Sequence, residues 1–261
     1  MTRTGCLTLL LLVSLRVSAD PAGQQVLQCM RQNLPQTGSI KEIEMDSVDR
    51  SGARRVLQGK LYARAEQQAA KQSNVTIAVR FEAPRDLSGA AYLVRQTASS
   101  GDDQIYMFLP AMQRVRRMNT TAASGSLLGT SFSYNDFRQL LSAFDSSDAK
   151  LEGTADLSGR AALVVAVKST GASSYDLVRS WVDRQTCVPM KAEFLSGTKV
   201  LKRFHASADA LRQSDHYWYL TESIIQDLSE GTATTLRIGK VISGATIPAA
   251  YFQPNSFYLP N

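Results

Sequence analysis

The chain has 261 residues, with 29 Lys+Arg against 23 Asp+Glu and a formal net charge of +6. That excess is mild, and nucleic-acid binding asks for clustered as well as surplus positive charge, so no nucleic-acid partner is expected. The two histidines, His205 and His216, do not stand at ligand spacing to a cysteine, so no metal site or metal cofactor is expected either.

Arg3 gives a short positive start, and residues 6–15 (CLTLLLLVSL) form an apolar run too short to span a bilayer as a helix. Val17-Ser18-Ala19 places small residues at the −3 and −1 positions of a cleavage site, so residues 1–19 read as a secretory signal peptide. The alternative is a retained anchor. Cys6 precedes most of the apolar run, which excludes it as a lipoprotein acylation cysteine. Without Arg3 and Arg16 the balance is 27 basic against 23 acidic residues, enough for a weak preference for anionic surfaces. Two cysteines remain, Cys29 and Cys187. An even pair in an exported chain points to one disulfide; the alternative is two separate buried thiols.

Asp20-Pro21 has the pattern of an N-cap followed by a first-turn proline. Val26, Leu27, Met30 and Leu34 then recur at helical spacing, and Pro35 ends the helix. Beyond it the period becomes two. Ile43 and Met45 alternate with charged neighbours, and Leu57, Leu61, Ala63 and Ala65 share one face. Val75, Ile77, Val79 and Phe81 alternate up to Pro84, and Ala91 and Leu93 oppose Tyr92 and Val94. Residues 150–155 and 161–168 flank the turn Ser158-Gly159, and 175–182 and 188–194 flank Asp183-Arg184-Gln185-Thr186. Further strands are expected over 199–206, 217–225 and 232–241, and the aromatic, proline-punctuated tail 247–259 is expected to pack down as a seal. The pattern is that of an antiparallel meander in one large, mainly β domain over 20–261, with roughly ten or more strands and a few helices. A sheet that long must curl and hide its edges.

Residues 102–144 organise the rest. In 105–109 both strand faces are apolar: Ile105, Met107 and Leu109 on one, Tyr106 and Phe108 on the other. The strand is either buried on both faces or turns one face into a ligand cavity. Pro110 closes it, and Arg114, Arg116 and Arg117 follow; Arg114 and Arg116 share a face. They serve either as a rim that pairs with an anionic headgroup or as a solvated edge that resists aggregation. A helix is expected over 134–144, with Ser133 as N-cap and Asp136 at the third position. Phe137, Leu140, Leu141 and Phe144 form its apolar stripe. No catalytic set stands out. His205 falls in a strand, His216 beside Asp215 falls in a turn, and Asp102-Asp103 after Ser99-Ser100-Gly101 reads as a hairpin turn. Ser124-Gly125-Ser126 lacks a nucleophile-elbow pattern.

The run IYMFLPAMQRVRRM, then SGSLLGTSFSYNDF, resembles the signature of the LolA-like outer-membrane lipoprotein-sorting proteins. A second matching unit runs from Trp181-Val182-Asp183 to Pro189-Met190-Lys191-Ala192-Glu193-Phe194. The family commonly has Asp at the position of Ser131 and Glu at that of Asn135, so a charged role is not carried over to those two positions. The resemblance implies a curled, incomplete antiparallel β-barrel with helices over its concave apolar face. It implies a non-enzymatic, monomeric periplasmic carrier of a Gram-negative bacterium, binding a lipid or the acyl chains of a lipoprotein and touching membranes transiently. An inner-membrane transporter of the RND type is an implied companion. Met107 and Leu109 would be cavity wall, Phe132, Phe137, Leu140, Leu141 and Phe144 its lid side, and Arg114 and Arg116 its rim. The competing reading is a periplasmic adaptor of an export complex whose cavity is filled by its own side chains.

Overall fold

The computed structural model describes residues 20–35, 37–67, 73–96, 103–140, 149–169 and 174–259. Helix α1 spans Pro21–Gln32, and six strands follow: β1 (Ser39–Val48), β2 (Arg54–Gln67), β3 (Ser73–Ala83), β4 (Ala91–Arg95), β5 (Gln104–Leu109) and β6 (Arg114–Met118). Two short helices, α2 (Thr120–Ala123) and α3 (Tyr134–Leu140), separate these from β7 (Lys150–Leu157), β8 (Arg160–Lys168), β9 (Leu177–Asp183), β10 (Pro189–Ser196) and β11 (Lys199–His205). The chain ends through β12 (Leu211–Ser214), β13 (Tyr217–Leu220), β14 (Glu222–Asp227) and β15 (Thr232–Ser243).

Among the described residues, thirteen strands form one antiparallel sheet in the order β6-β5-β4-β3-β2-β1-β15-β14-β11-β10-β9-β8-β7, while β12 and β13 pair as a separate ribbon. The two edges, β6 and β7, do not meet, so the barrel is incomplete. Two meanders are joined by the long-range pair β1–β15, in which Ile43 faces Ile238 and Met45 faces Leu236. That register decides which side chains look inward, because a slip of one residue would turn every apolar side chain to the other face.

One face of the N-terminal half carries Ile77, Val79, Tyr92, Val94 and Ile105 toward the helices. The opposite face is covered by the tail. Tyr251, Phe252 and Phe257 are buried against Ala78, Ala91 and Leu93, and Phe108 stacks on Tyr258 with ring centroids 4.0 Å apart. Arg80 donates to the Phe257 carbonyl at 2.7 Å and Arg95 to that of Phe252 at 2.7 Å, which clamps the tail to the sheet. Both faces of β5 are thus occupied by different partners: the concave cluster takes Met107 and Leu109, and the tail takes Tyr106 and Phe108.

The single strand expected over 217–225 is two. The backbone N–H of Thr221 donates to the Ala210 carbonyl at 2.8 Å, and its hydroxyl reaches the same oxygen at 3.1 Å. These bonds pull the chain out of the main sheet, so Tyr217–Leu220 pairs with β12 before Glu222 enters the sheet beside Arg237.

Asp20 caps α1 as its position suggests. One carboxylate oxygen accepts from the Ala22 N–H at 3.0 Å and the other from the Leu151 N–H at 2.8 Å. Those backbone donors, Leu151 foremost, hold its pKa below the ordinary aspartate value. Gly23 permits the close approach of α1 to the start of β7: a Cβ there would lie 2.6 Å from the Ala149 carbonyl oxygen. Val26, Leu27 and Met30 then bury against Val165, Val167 and Val182. Cys29 and Cys187 are disulfide-bonded, with Cα atoms 5.5 Å apart and a sequence separation of 158. Cys187 sits in the left-handed region (φ 59°) of a turn fixed by Asp183. That carboxylate accepts from the Thr186 N–H at 2.8 Å and from Arg160 at 2.7 Å.

The disulfide ties α1 to the β9–β10 turn across most of the chain. Converting both cysteines to serine is expected to cost about 2–4 kcal/mol, a fall in Tm of about 5–15 °C, while the β-type circular dichroism is kept. A melt unchanged by the double substitution would show that α1 is held by packing alone.

Candidate functional site: an apolar chamber under two short helices

Between the concave face and the α2–α3 segment lies a cavity of about 120 Å³. Its floor is Ile43, Leu61, Val79, Val94, Ile105 and Ile238, contributed by β1 to β5 and β15. Its roof is Ala123, Leu127, Tyr134 and Phe137. The alternation read in the sequence explains this floor: each strand spends every second residue on the concave face, and at the floor positions those residues are aliphatic.

Polar contacts at its ends hold the roof down. Ser133 and Asp136 form the expected reciprocal cap, with the Ser133 N–H donating to Asp136 at 2.7 Å and the Asp136 N–H to the Ser133 hydroxyl at 3.1 Å. The Asp136 carboxylate is fully buried. It accepts from Lys202 Nζ of β11 at 2.9 Å, and the same ammonium donates to the Ser131 carbonyl at 2.9 Å and stands 3.6 Å from Asp227. Ser131 is stitched to β15, its N–H donating to Thr234 Oγ1 and its hydroxyl meeting Thr232 Oγ1, each at 2.8 Å. At the other end, Asp103 accepts from the Tyr134 hydroxyl at 2.7 Å and pairs with Arg138 at 2.9 Å. Burial, with the Asp103 carboxylate alongside, pushes the Tyr134 phenol well above its ordinary pKa, so it remains a donor.

The structure distributes the predicted site residues unevenly. Phe137 lines the chamber and stacks on Phe132 at a centroid distance of 4.5 Å. Phe132 and Leu140 pack against Tyr175, Val178, Phe194 and Ile225, and they also edge a second cavity toward α1. Met107 and Leu109 face the concave side and pack against the Ile43, Met45, Phe81 and Tyr92 cluster next to the chamber. Arg114 and Arg116 are exposed on the edge strand, paired in register with Leu109 and Met107 and therefore on the same face as Met118, which lines the chamber. Leu141 and Phe144, the rest of the helix stripe, lie outside the described residues, as does Asp102. Asp103 is more than a turn residue: it is the buried anchor of Tyr134 and Arg138. Sequence reasoning missed Lys202 as well. Its strand neighbours Lys199 and Arg203 are exposed, and only the tertiary partner distinguishes it from them. His205 and His216 are both exposed, and no group of His, Cys, Asp and Glu among the described residues could hold a metal ion. No helix among the described residues is long and apolar enough to cross a membrane.

Residues 73–258, which include the roof, the covering tail and the floor strands other than β1 and β2, match a protein-family model whose description reads "-like: Uncharacterized protein". The chain belongs to that family. Solved structures show that the fold is LolA-like. A DUF1329 family protein from Desulfovibrio piger superposes with a TM-score of 0.81 at 21% identity, covering 91% of this chain and 98% of the other. A putative outer membrane lipoprotein-sorting protein domain from Vibrio parahaemolyticus gives 0.77 at 21% identity, covering 90% and 99%. A LolA superfamily protein from Nitrosomonas europaea gives 0.65 at 16% identity, covering 91% and 98%. No curated protein matches the sequence. The resemblance to lipoprotein-sorting proteins read from 105–137 is therefore matched by the fold of this family member.

Removing Lys202 would leave the Asp136 carboxylate buried without its cation. Lys202→Met is expected to destabilise the protein by about 3–5 kcal/mol and to speed amide hydrogen exchange in α3 more than in β2 and β3. Adding Asp136→Asn should recover part of the loss, because the orphaned charge is then gone. A single variant that loses under about 1 kcal/mol with unchanged exchange would show that the pair does not hold the roof.

Proposed function

We propose that this protein is a non-enzymatic periplasmic carrier that takes the acyl chain of a lipid or lipoprotein into the chamber between the curled sheet and the α2–α3 roof, and moves it toward the outer membrane. Residues 1–19 act as its export signal, and an inner-membrane transporter of the RND type is its companion. Arg114 and Arg116 stand on the cavity side of the edge strand, where an anionic headgroup or membrane surface would meet them.

The observation that carries this reading is the apolar gap itself. Aliphatic side chains from six strands surround a space that the roof does not fill. Apolar cavities of about 150 Å³ stay dry and accept benzene-sized ligands. In its present closed form the chamber therefore takes a segment of an acyl chain, and the roof must lift to admit more. Each buried methylene contributes about 0.8 kcal/mol, so a chain of ordinary length can be drawn from a membrane. Release requires the roof to open again. Its build fits that need: two short helices, joined by a loop containing Gly125 and Gly129, are held mainly at their ends. The structural neighbour from Vibrio parahaemolyticus, a putative outer membrane lipoprotein-sorting protein domain, supports the same reading.

The purified protein is expected to bind a fluorescent fatty-acyl probe and to yield lipid by mass spectrometry of organic extracts. Ala122→Trp, at the exposed margin of the roof where Ala122 lines the chamber, should fold normally and weaken probe binding about tenfold. An empty protein that also refuses the probe would favour an adaptor whose cavity is filled by its own side chains.

A further inference from the structure

A second cavity, of about 180 Å³, lies beside the first, and Phe137, Leu236 and Ile238 line both. Its outer wall is built differently from the roof of the first. The C-terminal end of α1 is fixed to the β12–β13 ribbon by two reciprocal bonds, Asn33 Nδ2 to the Trp218 carbonyl at 3.0 Å and the Trp218 N–H to Asn33 Oδ1 at 2.7 Å. The Cys29–Cys187 bridge closes the same corner, and Cys187 lines the cavity. The first chamber has a lightly held cover, whereas the second has a covalently braced wall.

Into this braced space projects one ammonium group. Lys41 sits on β1, opposite Leu61 and two residues before Ile43, so it shares the concave face with the aliphatic floor of the first chamber. Its Nζ lies 5.0 Å from the centre of the Tyr217 ring and 5.6 Å from that of Tyr219. Those ring faces are its contacts among the described residues; no carboxylate pairs with it. Burial holds its pKa down to about 8. Desolvating a cation costs free energy, and two ring faces offset only part of that cost. An arriving anion would complete the site, because a charge-assisted bond in a partly desolvated space is stronger than one at the surface.

We infer that Lys41 and the Tyr217–Tyr219 wall form a subsite for the anionic end group of an acyl-chain ligand, a carboxylate or phosphate, whose hydrocarbon passes Phe137 and Ile238 into the first chamber. The inference rests on the carrier reading and adds selectivity to it. The ligand is held at both ends: its chain by a floor without charge, its head by one cation at the far side of the shared residues. Arg114 and Arg116 stand on the edge strand β6, five strands away from β1, and do not share this space.

The test compares oleate with oleyl alcohol, which has the same chain and no charge, by displacement of a fluorescent acyl probe from wild-type protein, Lys41→Met and Lys41→Arg. Wild type is expected to prefer oleate by about tenfold or more. Lys41→Met should lose that preference, keep its affinity for the alcohol, and melt no lower than wild type, since an unpaired cation has been replaced by a side chain of similar length. Lys41→Arg should retain the preference. Equal affinity of wild type for the two ligands overturns the subsite and leaves the carrier intact. Failure of both ligands to bind overturns the carrier reading and the subsite with it. Displacement of oleate by acetate or inorganic phosphate at comparable concentration overturns the coupling of head to chain, because it would mark a site for free anions.

Discussion

The buried Lys202–Asp136 pair is the contact on which the rest of the concave face depends. Asp136 is already committed to capping α3 through Ser133, and Lys202 ties that cap to the sheet while also holding the Ser131 carbonyl. Burying two charges is costly unless geometry and further hydrogen bonds compensate, so such a pair is a poor source of net stability, while loss of either partner strands a buried charge. It fixes where the roof begins, and the position of Phe137 over the floor follows from it. Asp103, with Tyr134 and Arg138, does the same nearer β5. Between these two anchors the roof needs only modest apolar packing, and a gap can persist beneath it.

A gap survives because the sheet spends its apolar surface on both sides. The outer face of β3 to β5 is covered by Tyr251, Phe252 and Phe257, with arginines clamping their carbonyls. The stability of that half therefore rests on the tail, and the concave half need not be packed to full density. At the other end of the sheet α1 closes tightly on β7 to β9, helped by Gly23 and the disulfide. Rigid covering at one end and a lightly anchored roof near the middle divide the concave side into a scaffold and a chamber.

Much of this was legible along the chain. Ile77, Val79 and Phe81 declare a strand because neighbours two apart share a face. Asp20-Pro21 and Ser133 with Asp136 declare helix starts because capping is settled within a few residues. The break at Thr221 was not legible, since the bonds that pull the chain aside run from Thr221 to the Ala210 carbonyl, just before β12. Nor were Lys202 and Lys41. Each stands two residues before an inward apolar residue, Ile43 or Phe204, and so breaks the apolar phase of its strand, but a lysine that finds a buried carboxylate looks the same in sequence as one that finds water or a tyrosine ring.

The sequence by itself therefore determined most of the strands, the helix caps and the LolA-like outline, because each is written in local spacing or in a run of residues. The tertiary structure alone decided which face of the sheet is concave, which apolar residues line space and which fill it, and where single charges are buried. Those outcomes turn on pairings such as Ile43 with Ile238 and Asp136 with Lys202, between residues far apart in the chain. A one-residue slip in such a pairing would send a chamber residue to the outer face without altering a single local pattern.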